Sequence, residues 1–174
     1  MSPFFRHQVL EELRCQCRFG LHAYEQVIGH LPLNDPQAVF FYAHALVRHS
    51  LDLGRMLWPT DPAAAERGAM LREAVGAPAQ PPPDWQGFAA VADHFDTHLI
   101  AWCGNESHRD AQPMNVMPVG PLGGFPTDRF HRSLDPDSMQ FLFEGQAVNL
   151  RQMADVIRNV GSGAERWLRR NSTP

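Results

Sequence analysis

Apolar residues recur along most of the chain at steps of three and four, which places them on one face of an α-helix. Such stripes run over residues 5–30, 36–58, 63–76, 84–102 and 150–168. Asn34-Asp35-Pro36 and Thr60-Asp61-Pro62 are typical helix starts, whereas Pro32, Pro59 and Gly76 are typical helix ends. The pattern therefore predicts a mainly helical chain.

Three of these helices carry details that a structure can test. The first helix has its apolar stripe at Val9, Leu13, Cys17, Leu21, Tyr24, Ile28 and Leu31. The fourth helix is predicted to run without a break from the capping residue Asp84 to Gly104. Its apolar stripe consists of Trp85, Phe88, Val91, Ala92, Phe95, Leu99 and Trp102. The second helix is apolar over more than half of its circumference, so a central place in the bundle is predicted for it.

The helical period disappears between Asn105 and about Asp137, so an ordered loop is predicted there. Arg129–His131 and Met139–Phe143 would pair across the turn Asp135–Ser138 as a small hairpin. Asn149 is then expected to cap a last helix, which Gly161 and Gly163 would bend.

The predicted fold class is mainly α: an up-and-down bundle of four to five helices with a small β-hairpin insertion before the last helix. The length of the chain suits one domain over residues 1–174. Within it, residues 1–104 form the core helices, 105–148 the loop and hairpin, and 149–170 the C-terminal helix.

Composition excludes several classes of enzyme. The chain has 174 residues and a formal net charge of −4, and all fifteen of its basic side chains are arginine. Schiff-base enzymes, Walker-type phosphate loops and protein kinases each require a lysine, which is absent. Arginine stays protonated and cannot replace lysine as a nucleophile.

The location of the protein is predicted from three further features. No apolar run approaches the length of about 20 residues that a membrane span needs. Met1–His7 does not follow the plan of a signal peptide. The three cysteines, Cys15, Cys17 and Cys103, form no C-x-x-C pair, which is typical of a reducing compartment. A cytoplasmic protein without membrane contact is expected.

The most pointed local pattern is His94-Phe95-Asp96-Thr97-His98 on the fourth helix. His94 and His98 are four residues apart and share a helix face, a spacing that can hold one metal ion. A zincin motif would need glutamate where Phe95 stands, and the chain has no Glu-x-x-His pair for a di-iron site. No metal and no cofactor are predicted, and a metal-dependent four-helix bundle stays an alternative.

Two segments together resemble small bacterial proteins of the HEPN family. They are Phe41–Leu46 leading to Met56–Pro59, Arg67-Gly68 and Leu71-Arg72, and the fourth-helix segment His94-Phe95-Asp96 with Leu99 and Trp102. The resemblance covers about residues 5–105. It implies a helical bundle that forms homodimers through its helices. It also implies RNA or a nucleotide as partner, since many members are metal-independent endoribonucleases.

Carried over residue by residue, the family's histidine falls on His94, and Asp96 belongs to the same motif. The family's arginine and asparagine fall on Ala89 and Ala90, which can neither neutralise a phosphate nor orient a hydroxyl group. Losing the arginine would remove several kcal/mol of transition-state stabilisation. Arg48 or Arg55 on the second helix could replace it only by reaching the same cleft.

These observations favour a non-catalytic binding or interaction module over an enzyme. His94 and Asp96 are the catalytic candidates that remain from the motif, and Arg48, Arg55 and His98 are the binding candidates. The alternatives are a HEPN-type endoribonuclease or nucleotide-acting enzyme that uses His94, Asp96 and a relocated arginine, and the metal-dependent bundle.

Overall fold

The computed structural model describes residues 2–117 and 129–171. Part of the predicted loop at 105–137 therefore lies outside the described residues. The structure is mainly helical, with 71% helix. The elements are α1 Pro3–His30, α2 Pro36–Leu57, α3 Ala65–Val75, α4 Pro83–Asp93, α5 Phe95–Gly104, β1 Arg132–Asp135, β2 Gln140–Phe143, β3 Gln146–Asn149 and α6 Leu150–Asn171, with three short 3-10 turns.

The helix starts read from the sequence are confirmed by their hydrogen bonds. The Asp35 carboxylate accepts from the Ala38 N–H at 3.1 Å, and the Asn149 amide oxygen accepts from the Gln152 N–H at 3.0 Å. Gly76 ends α3 with a φ of 73°, the left-handed conformation that glycine adopts without strain.

Helix α1 packs against α2 and α6, and α3 packs against α6. The stripe predicted on α1 is confirmed at Leu13 and Cys17. It is wrong at Ile28, which is exposed, while Val9, Leu21 and Tyr24 are only half-buried. The fully covered row consists of Leu10, Leu13, Cys17, Gly20, Ala23 and Val27. Contact with helices on two sides selects this row.

The predicted unbroken fourth helix is wrong, since the structure divides it at His94 into α4 and α5. His94 has φ −127° and ψ 42°, outside the helical region. The division separates a buried helix from an exposed one. Trp85, Phe88 and Val91 of α4 are buried, whereas α5 has no fully buried residue.

The region before the last helix holds three strands where a hairpin was predicted, paired antiparallel in the order β1-β2-β3. The first predicted strand, 129–131, is wrong by three residues, because Arg132 pairs with Phe143 and Asp135 with Gln140. The third strand was not predicted; it follows a tight turn in which Glu144 and Gly145 have positive φ. Its residues Gln146 and Ala147 are exposed, so it has little hydrophobic pattern.

Phe141 of β2 anchors the sheet to the helices. Its side chain is fully buried, and its ring centroid lies 6.1 Å from that of Phe40 on α2 and 5.6 Å from that of Phe88 on α4. Aromatic pairs at this separation stabilise a core beyond the area they bury. The sheet is therefore fixed against both helices. Within the described residues, no helix is long and apolar enough to span a membrane.

Helix α6 is unbroken through Gly161 and Gly163, which were predicted to bend it. Gly163 instead permits close packing, because a Cβ atom there would lie 1.9 Å from the carbonyl oxygen of Val75. Only a residue without a side chain lets α6 pass the C-terminal end of α3 at this distance.

We expect Gly163→Ala to lower the free energy of unfolding by about 2–3 kcal/mol, since the backbone of Val75 must move to admit the methyl group. Gly29→Ala is the matched control. No atom lies within 4 Å of a Cβ at that exposed α1 position, so a gain of about 0.5–1 kcal/mol is expected from helix propensity. Urea titration monitored by circular dichroism measures both; equal effects of the two substitutions would contradict the packing role of Gly163.

Candidate functional site

The candidate binding residues Arg48 and Arg55 lie on exposed positions of α2 and share one carboxylate. Arg48 Nε lies 3.2 Å from Asp52 Oδ2, and Arg55 Nη1 lies 2.7 Å from Asp52 Oδ1. A second contact joins Arg55 Nη2 to Asp93 at the end of α4. Burial opposes the charge of Arg55, but the hydrogen bonds and charges of the two aspartates outweigh it and raise the pKa of its guanidinium.

His94 and Asp96 lie at the division between α4 and α5, and both are exposed. His98 is half-buried one turn further, and its N–H donates to the His94 carbonyl at 3.0 Å. Arg48 and Arg55 pair with aspartates and with neither of the two motif residues. Arg55 therefore contacts Asp93, the residue before His94, and is not paired with His94 itself.

Phe95, between the two motif residues, belongs to a cavity of about 350 Å³ that we call the arginine pocket. It lies where α2 and α4 meet the first two strands. Its lining consists of His44, Val47, Arg48, Phe88, Ala92, Phe95, Arg132 and Phe143. One predicted binding residue, Arg48, is therefore joined by groups that the sequence analysis did not select.

Arg132 is the most important of the groups that the sequence analysis missed. It pairs with Phe143 across β1 and β2, and its guanidinium carbon lies 5.5 Å from the centroid of the Phe143 ring. A guanidinium at this distance from an aromatic face is attracted to it. The strand reads Arg-Ser-Leu-Asp, which is too short and has too little hydrophobic pattern to indicate which residues pair across the sheet.

A buried relay holds the Arg132 side chain in place. Arg132 Nη2 donates to Nδ1 of His131 at 3.2 Å, and Nε2 of His131 donates to Oε1 of Glu144 at 2.8 Å. Because a guanidinium only donates, Nδ1 must be the acceptor, so the proton of the imidazole is on Nε2. The Glu144 side chain is only 2% exposed. Arg132 is thus oriented by a neutral ring.

Helix α5 covers this relay. The Trp102 ring centroid lies 4.9 Å from that of His131 and 4.4 Å from that of His108, on which it stacks. His108 Nδ1 lies 2.8 Å from the Trp102 carbonyl oxygen, which fixes the short turn after α5. The exposed helix therefore has a structural role at one of its aromatic residues.

Two polar atoms of the relay have no partner in the described part of the chain. They are Nε of Arg132 and Oε2 of Glu144, both buried. Burial lowers the pKa of the Arg132 guanidinium, and the charge of Glu144 opposes that effect without reaching ion-pair distance. A half-buried cation without a salt bridge destabilises the fold, and a bound anion that pairs with it would remove this cost.

His44 forms the opposite wall and is uncharged at neutral pH. Its ring meets Phe141 and Phe143 edge-on, at centroid distances of 5.3 Å and 4.8 Å. The pKa of His44 is lowered to about 4, first by burial and in addition by the nearby positive charge of Arg132. The arginine pocket is therefore positively charged at Arg48 and Arg132, and its other wall consists of the uncharged rings of His44 and the phenylalanines.

The described residues contain no group of three or more histidine, cysteine or acidic side chains that could hold a metal ion. A metal site at His94 and His98 would need further ligands from neighbouring helices. His49 on α2 is a histidine of this kind, and its Nδ1 lies 2.7 Å from the Gln16 side-chain oxygen. The described residues therefore offer no support for the metal-dependent alternative.

The relay predicts a specific pattern of stability. His131→Phe keeps an aromatic ring against Trp102 but leaves the Glu144 carboxylate buried and unpaired, so a loss of about 3 kcal/mol in unfolding free energy is expected. The double variant His131→Phe/Glu144→Leu should recover part of that loss, because the buried carboxylate is gone while Arg132 still lacks its acceptor. Urea titrations of the three proteins measure it, and additive losses in the double variant would contradict the pairing.

No protein-family model matches the chain, and no characterised protein or solved structure matches it significantly. The resemblance to HEPN proteins thus has no support from these comparisons. Function must be argued from the geometry of the arginine pocket itself.

Proposed function

We propose that the protein is a HEPN-like up-and-down helical bundle that acts as a non-catalytic binding module. Its ligand is a nucleotide, bound in the arginine pocket with a phosphate group at Arg48 and Arg132 and a planar base against the phenylalanine rings. A cytoplasmic location belongs to the same proposal, since nucleotides are abundant there.

The state of Arg132 is the observation that carries this proposal. Its Nη2 is used by His131, its Nε is buried without a partner, and no carboxylate of the described residues pairs with it. An anion that accepts hydrogen bonds from this guanidinium would remove the cost of burying it. Arg48, whose only ion pair in the described chain is through Nε to Asp52, supplies a second charge suited to a phosphate dianion.

The walls of the pocket favour a flat ring beside the anion. The rings of Phe95 and Phe143 are nearly parallel, with an interplanar angle of 8°, and the Phe88 ring centroid lies 6.4 Å from that of Phe143. Bases of nucleotides stack on such aromatic side chains. A volume of about 350 Å³ lies at the lower end of the range for small-ligand pockets, so a single nucleotide suits it better than a longer strand.

Binding without catalysis is supported by where the motif residues lie. A ribonuclease of the resembled HEPN type would need a histidine beside an arginine that contacts the reacting phosphate. His94 is exposed, and Arg48 and Arg55 are held by Asp52 and Asp93. His44, which does line the pocket, has a pKa lowered to about 4 and is a weak base.

Isothermal titration with adenosine 5′-monophosphate tests the proposal. The wild-type protein should bind it more tightly than adenosine or inorganic phosphate. Arg132→Gln should weaken binding at least about tenfold, because a hydrogen bond to a charged group contributes about 1.5–3 kcal/mol. Arg166→Gln, which changes the same charge at an exposed site on α6, is the matched control and should bind like the wild type.

Three results would overturn the proposal. Equal affinity for adenosine and its monophosphate would remove the role of the phosphate, and unchanged binding by Arg132→Gln would remove the role of the pocket. Cleavage of single-stranded RNA by the purified protein, lost in His94→Ala, would show a ribonuclease instead of a binding module.

We also propose that two copies of the chain associate through their helices. Large apolar side chains stand exposed on α2 and α5: Phe41 is 68% exposed and Ile100 is 73% exposed. Exposed apolar surface of this kind is typical of sites that another protein covers. Light scattering at micromolar concentration should give twice the mass of one chain, and Phe41→Arg should reduce it; a strict monomer in the wild type would contradict the dimer.

A further inference from the structure

A second and larger cavity, of about 650 Å³, lies on the other half of α2 and is separate from the arginine pocket. We call it the tryptophan pocket. It is enclosed by α2, α3, α4 and the proline-rich segment before α4, and no residue lines both cavities. The side chains that matter here are Leu51, Trp58, Ala64, Arg67, Trp85 and Ala89.

The two indole rings of this pocket are held in fixed positions. Trp58 Nε1 donates to the Pro78 carbonyl at 3.0 Å, which ties the proline-rich segment to the end of α2. The Trp85 ring meets Trp58 edge-on at 6.0 Å, and a Cβ atom at Gly54 would contact it at 3.4 Å. Fixed walls spare a ligand the entropic cost of ordering them.

Helix α3 is held against the same end of α2. Arg72 Nη1 donates to the Leu57 carbonyl, and a Cβ atom at Gly68 would lie 2.5 Å from Cδ of Pro59. The close packing at Gly68 fixes the neighbouring residue, Arg67, at the pocket. The cavity is therefore formed before any ligand arrives.

Arg67 supplies the charge that this pocket offers. The other guanidinium there, Arg55, is already paired with Asp52 and Asp93. The Asp61 carboxylate accepts from the Ala63 N–H at 2.9 Å and so caps the 3-10 turn Pro62–Ala64 that precedes α3. In the part of the chain that the structure describes, Arg67 is exposed and has neither an ion pair nor a hydrogen bond.

The small side chains at the base leave the space open. Ala64 is buried and Ala89 half-buried, and both line the cavity beside Leu51 and Trp85. A longer side chain at residue 89 would occupy volume that the present cavity leaves free. The base is thus apolar, and at the edge Arg67 is a cation without a partner among the described residues.

We propose that the tryptophan pocket binds a small aromatic carboxylic acid, with its ring against Trp58 and Trp85 and its carboxylate on Arg67. A planar ring matches indole walls better than a flexible alkyl chain, because aromatic contacts have a preferred geometry and cost little conformational freedom. One guanidinium with free donors pairs with a carboxylate through two parallel hydrogen bonds. This proposal does not rest on nucleotide binding in the arginine pocket.

Titration with 2-naphthoate, followed by tryptophan fluorescence and calorimetry, tests the site. The wild-type protein should bind 2-naphthoate at least tenfold more tightly than 2-naphthol, which has the same rings without the carboxylate. Arg67→Gln should remove that preference, and Ala89→Met should weaken both probes by filling the cavity. Arg166→Gln should leave all affinities unchanged.

Arg67 is exposed, so its substitution is not expected to disturb folding, and it keeps the test informative if Ala89→Met is unstable. Unchanged affinity for 2-naphthoate in Arg67→Gln, or octanoate binding as tightly as 2-naphthoate, would overturn the proposal. Loss of 2-naphthoate binding in Arg132→Gln with full binding in Arg67→Gln would place the probe in the arginine pocket and would equally overturn it.

Discussion

The packing of Phe141 and Phe143 against α2 and α4 determines where every group of the arginine pocket lies. Phe141 is fully buried between the two helices, and Phe143 reaches the cavity next to it. The strand that carries these rings also sets the register of Arg132 and begins the turn that buries Glu144. A sheet of three four-residue strands is marginal alone, so its order depends on this contact with the helices.

Most helices could be predicted from the sequence, because the contacts that begin and end them join residues close together in the chain. Asp35 and Asn149 cap helices with side chains only three residues from their partners, and Gly76 ends one through its own backbone freedom. The division at His94 was not readable. His94 follows buried residues of α4 and precedes exposed residues of α5, so tertiary burial ends one helix and begins the next.

The site was predicted less well because its members meet through long-range contacts. Arg48 was predicted as a binding residue and lines the arginine pocket. His94 and Asp96, the predicted catalytic residues, are exposed and do not line it. Arg132 depends on strand register, and the relay to Glu144 joins residues 13 apart through a left-handed turn. Position 89, where the resembled family has its arginine, is instead a wall of the tryptophan pocket. The same alanine that weakens the case for catalysis leaves room for a ligand.

The choice of a neutral imidazole to hold Arg132 has an electrostatic consequence. A carboxylate in that place would form a dipole with the guanidinium, and the field of the pair would fall off steeply. His131 orients the side chain without an opposite charge of its own, and the carboxylate that acts on the guanidinium, Glu144, lies beyond the imidazole ring. At a separation of 4 Å and an effective dielectric constant near 20, the charge of the guanidinium attracts an anion with about 4 kcal/mol. The proposed ligand would therefore be attracted by the sign of its charge before its shape is recognised.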